Sequence, residues 1–380
     1  MTNLASEYNT FSIVLRFWTD RVPSYGWVLI GWSLFQCTSL LGVVVFGEVE
    51  FYLAAWKILC VIGAFLVAIL INTGAIGGEY IGFRYWTDPG PFVNGVNGFG
   101  QTFLLAAVYY CGTEMIAITA GESRNPTKDL PRAIKQTFWR ILVIFMGLVF
   151  FSSIIVASNS SQLLTATTKS GKSPFAIALV NAGWSRAGDL VNAVILVAIL
   201  SAVNSGIFIC SRNLVSLARN GQAPKIFAKT TGNGVPVNAI IFSNFWGLVA
   251  LLNQSAGAGK IFTYLVSISG SATFIAWATI GIIHIRMRRA WSVQGLPLED
   301  LQFRAWLFPY GAWFVVIINV FLVVISGYAS FIDGFDAVTF VVNYCVLVVF
   351  CVLFVFWKLY KKTKWVTLSG IDLYKGRRKA

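Results

Sequence analysis

Val108-Tyr-Tyr-Cys-Gly-Thr-Glu-Met-Ile-Ala-Ile-Thr-Ala-Gly-Glu-Ser123 is the stretch on which the reading of this chain turns. It continues an apolar run of membrane-spanning length, and Gly112, Thr113 and the carboxylate of Glu114 interrupt it midway. Inside a bilayer no water satisfies free backbone groups, so a break at that depth must face protein or a wet cavity. An ionisable side chain there is costly and points to a functional site. Helices broken near the midplane are a common way to build a binding site in secondary transporters.

The rest of the composition agrees with a bilayer environment. The chain has 380 residues, 57% of them apolar and 12% charged, with a mean hydropathy of +0.72. Soluble domains carry about 25% charged residues, so this is an integral membrane composition. The formal charge of +14 does not point to nucleic acid. Its basic residues fall in short clusters between apolar runs, as the positive-inside rule describes. No signal-peptide core stands at the start of the chain. The six cysteines lie inside apolar runs without paired or metal-like spacing, which suits packing.

Apolar segments of about 20 residues mark nine full spans: 26–46, 51–72, 101–120, 138–157, 188–210, 238–254, 260–285, 310–331 and 340–358. The earlier stretch from Glu7 to Thr19 is short, carries Arg16, and reads as an interfacial helix or as the tail of a span. Basic residues crowd the 121–140, 211–237 and 285–305 loops and the tail after 357, while 254–260 and 331–340 are poor in them. That alternation puts the C-terminus in the cytoplasm. The sequons at Asn159 and Asn253 fall on the outer side, as acceptors or as chance matches to a short pattern. Tryptophans at span ends, such as Trp27, Trp139 and Trp357, have belt placement.

Three side chains could carry chemistry. Glu114 either titrates beside a cavity or caps the restarted helix, where a carboxylate is favoured. Lys57 either snorkels to the interface or points inward and takes the place of a coupling cation. His284, just before Arg286, suits an interface better than a proton relay, and a single histidine builds no His-rich zinc site. Small polar residues in Ser201-Ala-Val-Asn-Ser-Gly206 and Ser267-Ile-Ser-Gly-Ser-Ala272 serve close helix packing or line a cavity. The phosphate-binding loop, the nucleophile elbow and the His-Glu-x-x-His motif are all missing, so neither ATP-driven transport nor hydrolysis is expected, and no cofactor.

Several of these stretches resemble the fungal amino acid permeases of the amino acid–polyamine–organocation superfamily. The most specific are Gly121-Glu-Ser-Arg-Asn-Pro-Thr-Lys-Asp-Leu-Pro-Arg132 with the residues to Arg140, and Ser201 to Ala218 followed by Gly221-Gln-Ala-Pro-Lys-Ile-Phe227. His284-Ile-Arg286 with Arg288-Arg-Ala-Trp291, and Gly74 to Asp88, match in the same way, so the similarity runs from about residue 5 to about residue 375. The resemblance implies an all-α polytopic membrane protein with the LeuT-like inverted-repeat fold. Residues 1–375 would form one transmembrane domain, with 101–285 a complete second repeat, 310–358 the last two helices and 359–380 a basic cytoplasmic tail.

It also implies uptake of amino acids across the plasma membrane, coupled to protons. Cys111, Gly112, Thr113 and Glu114 would bind the substrate ammonium and side chain, and Lys57 would stand in for a sodium ion. Ser205 and Ser267 would lie near the cavity, with Lys57 and Glu114 as the proton-coupling candidates. Members have twelve spans, and this chain starts near the end of the third. The first helix, whose Gly-rich break holds the substrate carboxylate, would therefore be absent, leaving the chain alone without half its site. The competing expectation is a membrane sensor or regulatory partner that kept the fold without transporting.

Overall fold

The computed structural model describes residues 1–90, 95–110, 112–119, 123, 125–165, 173–252, 258–301, 304–305, 307–332 and 334–374. Among them every regular element is helical. The first elements are α1 (Thr2–Leu15), α2 (Ser24–Ser39), α3 (Val43–Asn72), α4 (Arg84–Thr87) and α5 (Gly95–Tyr109). There follow α6 (Ile116–Thr119), α7 (Pro126–Ile155), α8 (Ser161–Thr165), α9 (Pro174–Asn181), α10 (Ala187–Arg219) and α11 (Val237–Phe245). The last are α12 (Ala258–Val293), α13 (Tyr310–Ile325) and α14 (Ala337–Tyr360).

Among the described residues six helices are long and apolar enough to cross a bilayer: 43–72, 128–155, 187–219, 264–293, 310–331 and 337–360. Each of the three other expected spans is shorter or broken. The segment expected at 26–46 divides, because α2 ends at Ser39 and Gly42 turns the chain at φ +96° before α3 starts. A side chain at that φ would be strained, and glycine is not. The helix expected over 51–72 consequently begins eight residues earlier and absorbs the supposed loop at Gly47–Glu50. The segment at 238–254 is α11 followed by a tighter 3₁₀ stretch to Leu252.

The chain falls into two compact units, one of residues 1–101, 113–124 and 132–265, the other of 102–112, 125–131 and 266–380. In the first, α1 is not an interfacial helix. Leu4, Ala5, Tyr8, Asn9, Phe11, Ser12 and Val14 are all buried, so it is enclosed on several sides. It packs on α2, α10 and the 246–252 stretch, joining Phe35, Ile199, Val203, Ile207 and Ala250 in one core. Its small hydroxyls bond back to its own carbonyls, Thr10 to Ser6 at 3.0 Å and Ser12 to Asn9 at 2.8 Å, which removes their need for outside partners. A second cluster joins Ala68 and Ile71 of α3 to Ile154, Ile155, Ile177 and Leu179.

In the second unit Phe274 of α12 packs with Leu322 and Val323 of α13, and Ser271 donates to the carbonyl of Asn343 at 2.9 Å. By contrast α14 buries none of its residues. A helix apolar all round and unburied in protein needs an apolar solvent, which is the acyl region of a bilayer. Beyond α14 the chain returns to α12, where Gln294 donates to the carbonyls of Leu368 and Ile371 at 3.1 and 2.8 Å.

Candidate functional site

The break read from the sequence is present. Helix α5 ends at Tyr109, Gly112 turns the backbone at φ +100°, Thr113–Met115 form one 3₁₀ turn, and α6 resumes at Ile116. Cys111 lies outside the described residues. Thr113 and Glu114 are half-buried, and α6 rests against α10. Four residues cannot complete a regular helix, so most backbone groups here lack an i−4 partner within the element. Glu114 sits in the 3₁₀ turn just before the restarted segment.

Lys57 does not snorkel. Its ammonium donates to the Ser201 hydroxyl of α10 at 2.6 Å and reaches Glu50 Oε1 at 3.4 Å. The Ser201 hydroxyl in turn donates to the same Oε1. Two turns separate Glu50 from Lys57, so both occupy one face of α3, and α3 packs on α10. Ser201 is buried at 1% exposure, and Glu50 Oε2 is buried without a partner. Glu50 escaped the sequence reading because the boundary between two apolar windows placed it in a loop. A cue was nonetheless present in the spacing: a carboxylate and an ammonium seven residues apart share a face on an unbroken helix.

Ser205 lies one turn beyond Ser201 and is half-buried, beside the buried Asn204, whose amide nitrogen has no partner. Ser267 belongs to α12 in the second unit and is likewise half-buried. Thus Lys57 meets the Ser201 stretch, and α6 packs on the same helix.

A second polar hub was missed outright. The Tyr8 hydroxyl donates to Asn244 Oδ1 at 2.7 Å, and Asn244 Nδ2 donates to the Trp32 carbonyl at 3.2 Å and to Gln36 Oε1 at 3.0 Å. Trp32 Nε1 returns a bond to the Asn244 carbonyl at 3.0 Å. Tyr8 and Asn244 are fully buried, and their separation of 236 residues hides the pairing from any local pattern.

Six membrane-length helices among the described residues, an interrupted helix and an ion pair on α3 clasped by Ser201 of α10 define an integral, multi-pass membrane protein. The family model described as "Amino acid permease" matches residues 1–369. An uncharacterised amino-acid permease of Schizosaccharomyces pombe is 40% identical over 383 residues, covering 100% of this chain and 70% of the relative. A general amino acid permease of Saccharomyces cerevisiae is 41% identical, with 99% and 68% covered. The lysine-specific permease of the same yeast is 35% identical, with 98% and 63% covered. The chain belongs to the amino acid permease family, a family of transporters and not of enzymes.

Proposed function

We propose that this chain takes part in carrying amino acids across the plasma membrane together with protons. The observation that supports it most is the interruption of the 95–119 segment at Gly112, with the resumed α6 resting on α10, the helix whose Ser201 meets the Lys57–Glu50 pair of α3. Broken helices of this kind are where secondary transporters meet the charged ends of their substrates. Cys111, Gly112, Thr113 and Glu114 form the wall that meets the ammonium and side chain of the substrate. Ser205 and Ser267 contribute polar lining, and Lys57 and Glu114 are candidates for proton coupling. The names of the relatives, general and lysine-specific among them, favour amino acids as the cargo.

On this reading the fold is the LeuT-like inverted repeat, with 101–285 as the second repeat, 310–358 as the last two helices and nine spans in this chain. Residues 1–375 make up the transmembrane domain, and the alternation of basic loops places 359–380 in the cytoplasm. The test is uptake of each radiolabelled amino acid by permease-deficient yeast expressing the chain alone or fused behind the first helices of a yeast relative, with membrane insertion checked by surface labelling. Uptake of at least one amino acid by the fused form, rising as the outside is acidified and reduced in Glu114→Gln, is expected, with little by the chain alone. An inserted fused form that accumulates none of them would refute the reading.

A further inference from the structure

We infer that Glu50 is a proton-binding carboxylate of this protein, held by Ser201 and Lys57 in a clasp between α3 and α10 that loosens when Oε2 is protonated. The proposal rests on the transport reading and adds Glu50 to Lys57 and Glu114 as a group through which a proton is coupled.

Hydrogen-bond capacity fixes the state of the cluster. Lysine only donates and an ionised carboxylate only accepts, so the one proton of the Ser201 hydroxyl must point at Glu50 while its lone pair takes Lys57. The observed contacts match that arrangement: Lys57 to Ser201 at 2.6 Å, Lys57 to Glu50 Oε1 at 3.4 Å, and Ser201 to Oε1. Both donors meet one oxygen. Oε2, the other, is buried and unpartnered. A buried carboxylate oxygen without a donor is costly, and with Oε1 taken by both donors Oε2 is the oxygen open to a proton.

Among the described residues Lys57 is the charged group that contacts Glu50. Helix α7 meets α3 at Phe65 and Asn72, through Phe151 and Ile154, and its charges lie from Lys128 to Arg140, ahead of that contact. Of the elements packed on α3, α9 carries no titratable side chain. On α10, Arg212 lies over the Phe208 ring at 5.1 Å and donates to the Gly234 carbonyl at 3.2 Å. Phe208 itself stacks on Phe46 at 4.0 Å, one turn before Glu50, and Arg212 lies three turns past Ser201 on α10. Asp189 accepts from Trp18 near the far end of α10, and Cys210 lies more than two turns past Ser201. On α3 itself Glu48 is exposed, and Cys60 is a half-buried thiol beyond Lys57.

The step is a reversible proton addition: Oε2 gains H⁺, the carboxylate becomes a carboxylic acid, and no other bond is made or broken. Its consequence is electrostatic. The cluster goes from neutral to singly positive, and the Lys57 ammonium loses the counter-charge that made its position between two apolar helices tolerable. Proton loading thus weakens the contact between α3 and α10, and proton release restores it.

The experiment is infrared difference spectroscopy of the purified full chain in lipid nanodiscs, stepped between neutral and acid pH. On acidification a high-frequency carboxylic-acid C=O component from a buried carboxyl, distinct from that of the exposed carboxyls, is expected in the wild-type chain and in Glu48→Gln, and is missing in Glu50→Gln. The doubly neutral Glu50→Gln, Lys57→Gln variant, which leaves no orphaned charge, should also lack the band and secures the result if the single variant misfolds. Persistence of the full band in both would overturn the assignment. Uptake by the fused form adds the functional arm: acid stimulation falls to unity in Glu50→Gln and is reduced in Ser201→Ala. Acid stimulation equal to wild type in Glu50→Gln would also overturn it. A wild-type fused form that transports nothing would defeat the transport reading, while the infrared band would still decide the proton site.

Discussion

Replacing Tyr8 by Phe removes one oxygen atom and leaves the ring that fills the space between α1, α2 and α10. The hydroxyl donates at 2.7 Å to Asn244 Oδ1, and both residues have no solvent exposure. A buried acceptor stripped of its donor costs about 1–3 kcal/mol, and such bonds in membrane proteins average about 0.6 kcal/mol with a ceiling near 1.7. Tyr8→Phe is therefore expected to destabilise by about 1 kcal/mol. Asn244→Ala removes three side-chain bonds, to Tyr8, the Trp32 carbonyl and Gln36. At about 1 kcal/mol each the expected loss is about 3 kcal/mol. The two changes share one bond, so the double variant should fall short of the sum by about 1 kcal/mol. Reversible unfolding in mixed micelles, followed by tryptophan fluorescence, measures all three. An Asn244→Ala loss no larger than that of Tyr8→Phe, or a coupling of zero, would refute the idea that Asn244 ties α1 and α2 to α11.

The neighbouring glycine tests steric fit at the same place. A methyl group at Gly247 would overlap the Tyr8 ring, whereas one at Gly63 meets nothing within 4 Å. Gly247→Ala should cost about 1–3 kcal/mol in the same assay, and Gly63→Ala should cost nothing or gain about 0.5–1 kcal/mol. At the far end of the chain, Gln294→Ala with Arg286→Ala removes the donors to Leu368, Ile371 and Val366. Limited proteolysis should then cleave within 363–374 faster by about 10-fold or more, as expected for losing over 1.4 kcal/mol of local stability. Asp336 caps α14, accepting from the Thr339 hydroxyl at 2.6 Å and from the amides of Thr339 and Val338. The Thr339 hydroxyl chiefly, then these amides, hold its carboxyl below the usual range. A carboxyl depressed in the folded state stabilises above its unfolded pKa, and that contribution is lost as pH falls through the folded value. Hydrogen exchange at Val338 and Thr339, corrected for intrinsic rates, should therefore accelerate on acidification, and Asp336→Ala should abolish the change.

What the sequence made legible was local. The helical class and the bilayer as solvent follow from apolar runs and sparse charge, which each segment carries in its own residues. Gly112 announced its turn for the same reason, since a positive φ is a property of one residue and its neighbours. The motifs from Gly121 to Arg140 and from Ser201 to Ala218 pointed to the permease family on their own spelling. Even local signals failed where two windows touched. Hydropathy placed a boundary at Gly47–Glu50, but the backbone turns at Gly42 instead, and the shift moved Glu50 out of a loop into a helix.

Tertiary packing decided what those residues meet. Whether Lys57 reached lipid headgroups or a partner depended on which face α3 turns to α10, and the answer, Ser201, lies 144 residues away. The same holds for α1, which by itself has the composition of an interfacial helix and becomes interior only because α2, α10 and the 246–252 stretch close around it. Hydrophobic period and glycine placement are written into neighbouring residues. The orientation of one helix on another arises from the summed packing of distant side chains, and that sum fixed the partners of Glu50, Lys57 and Tyr8.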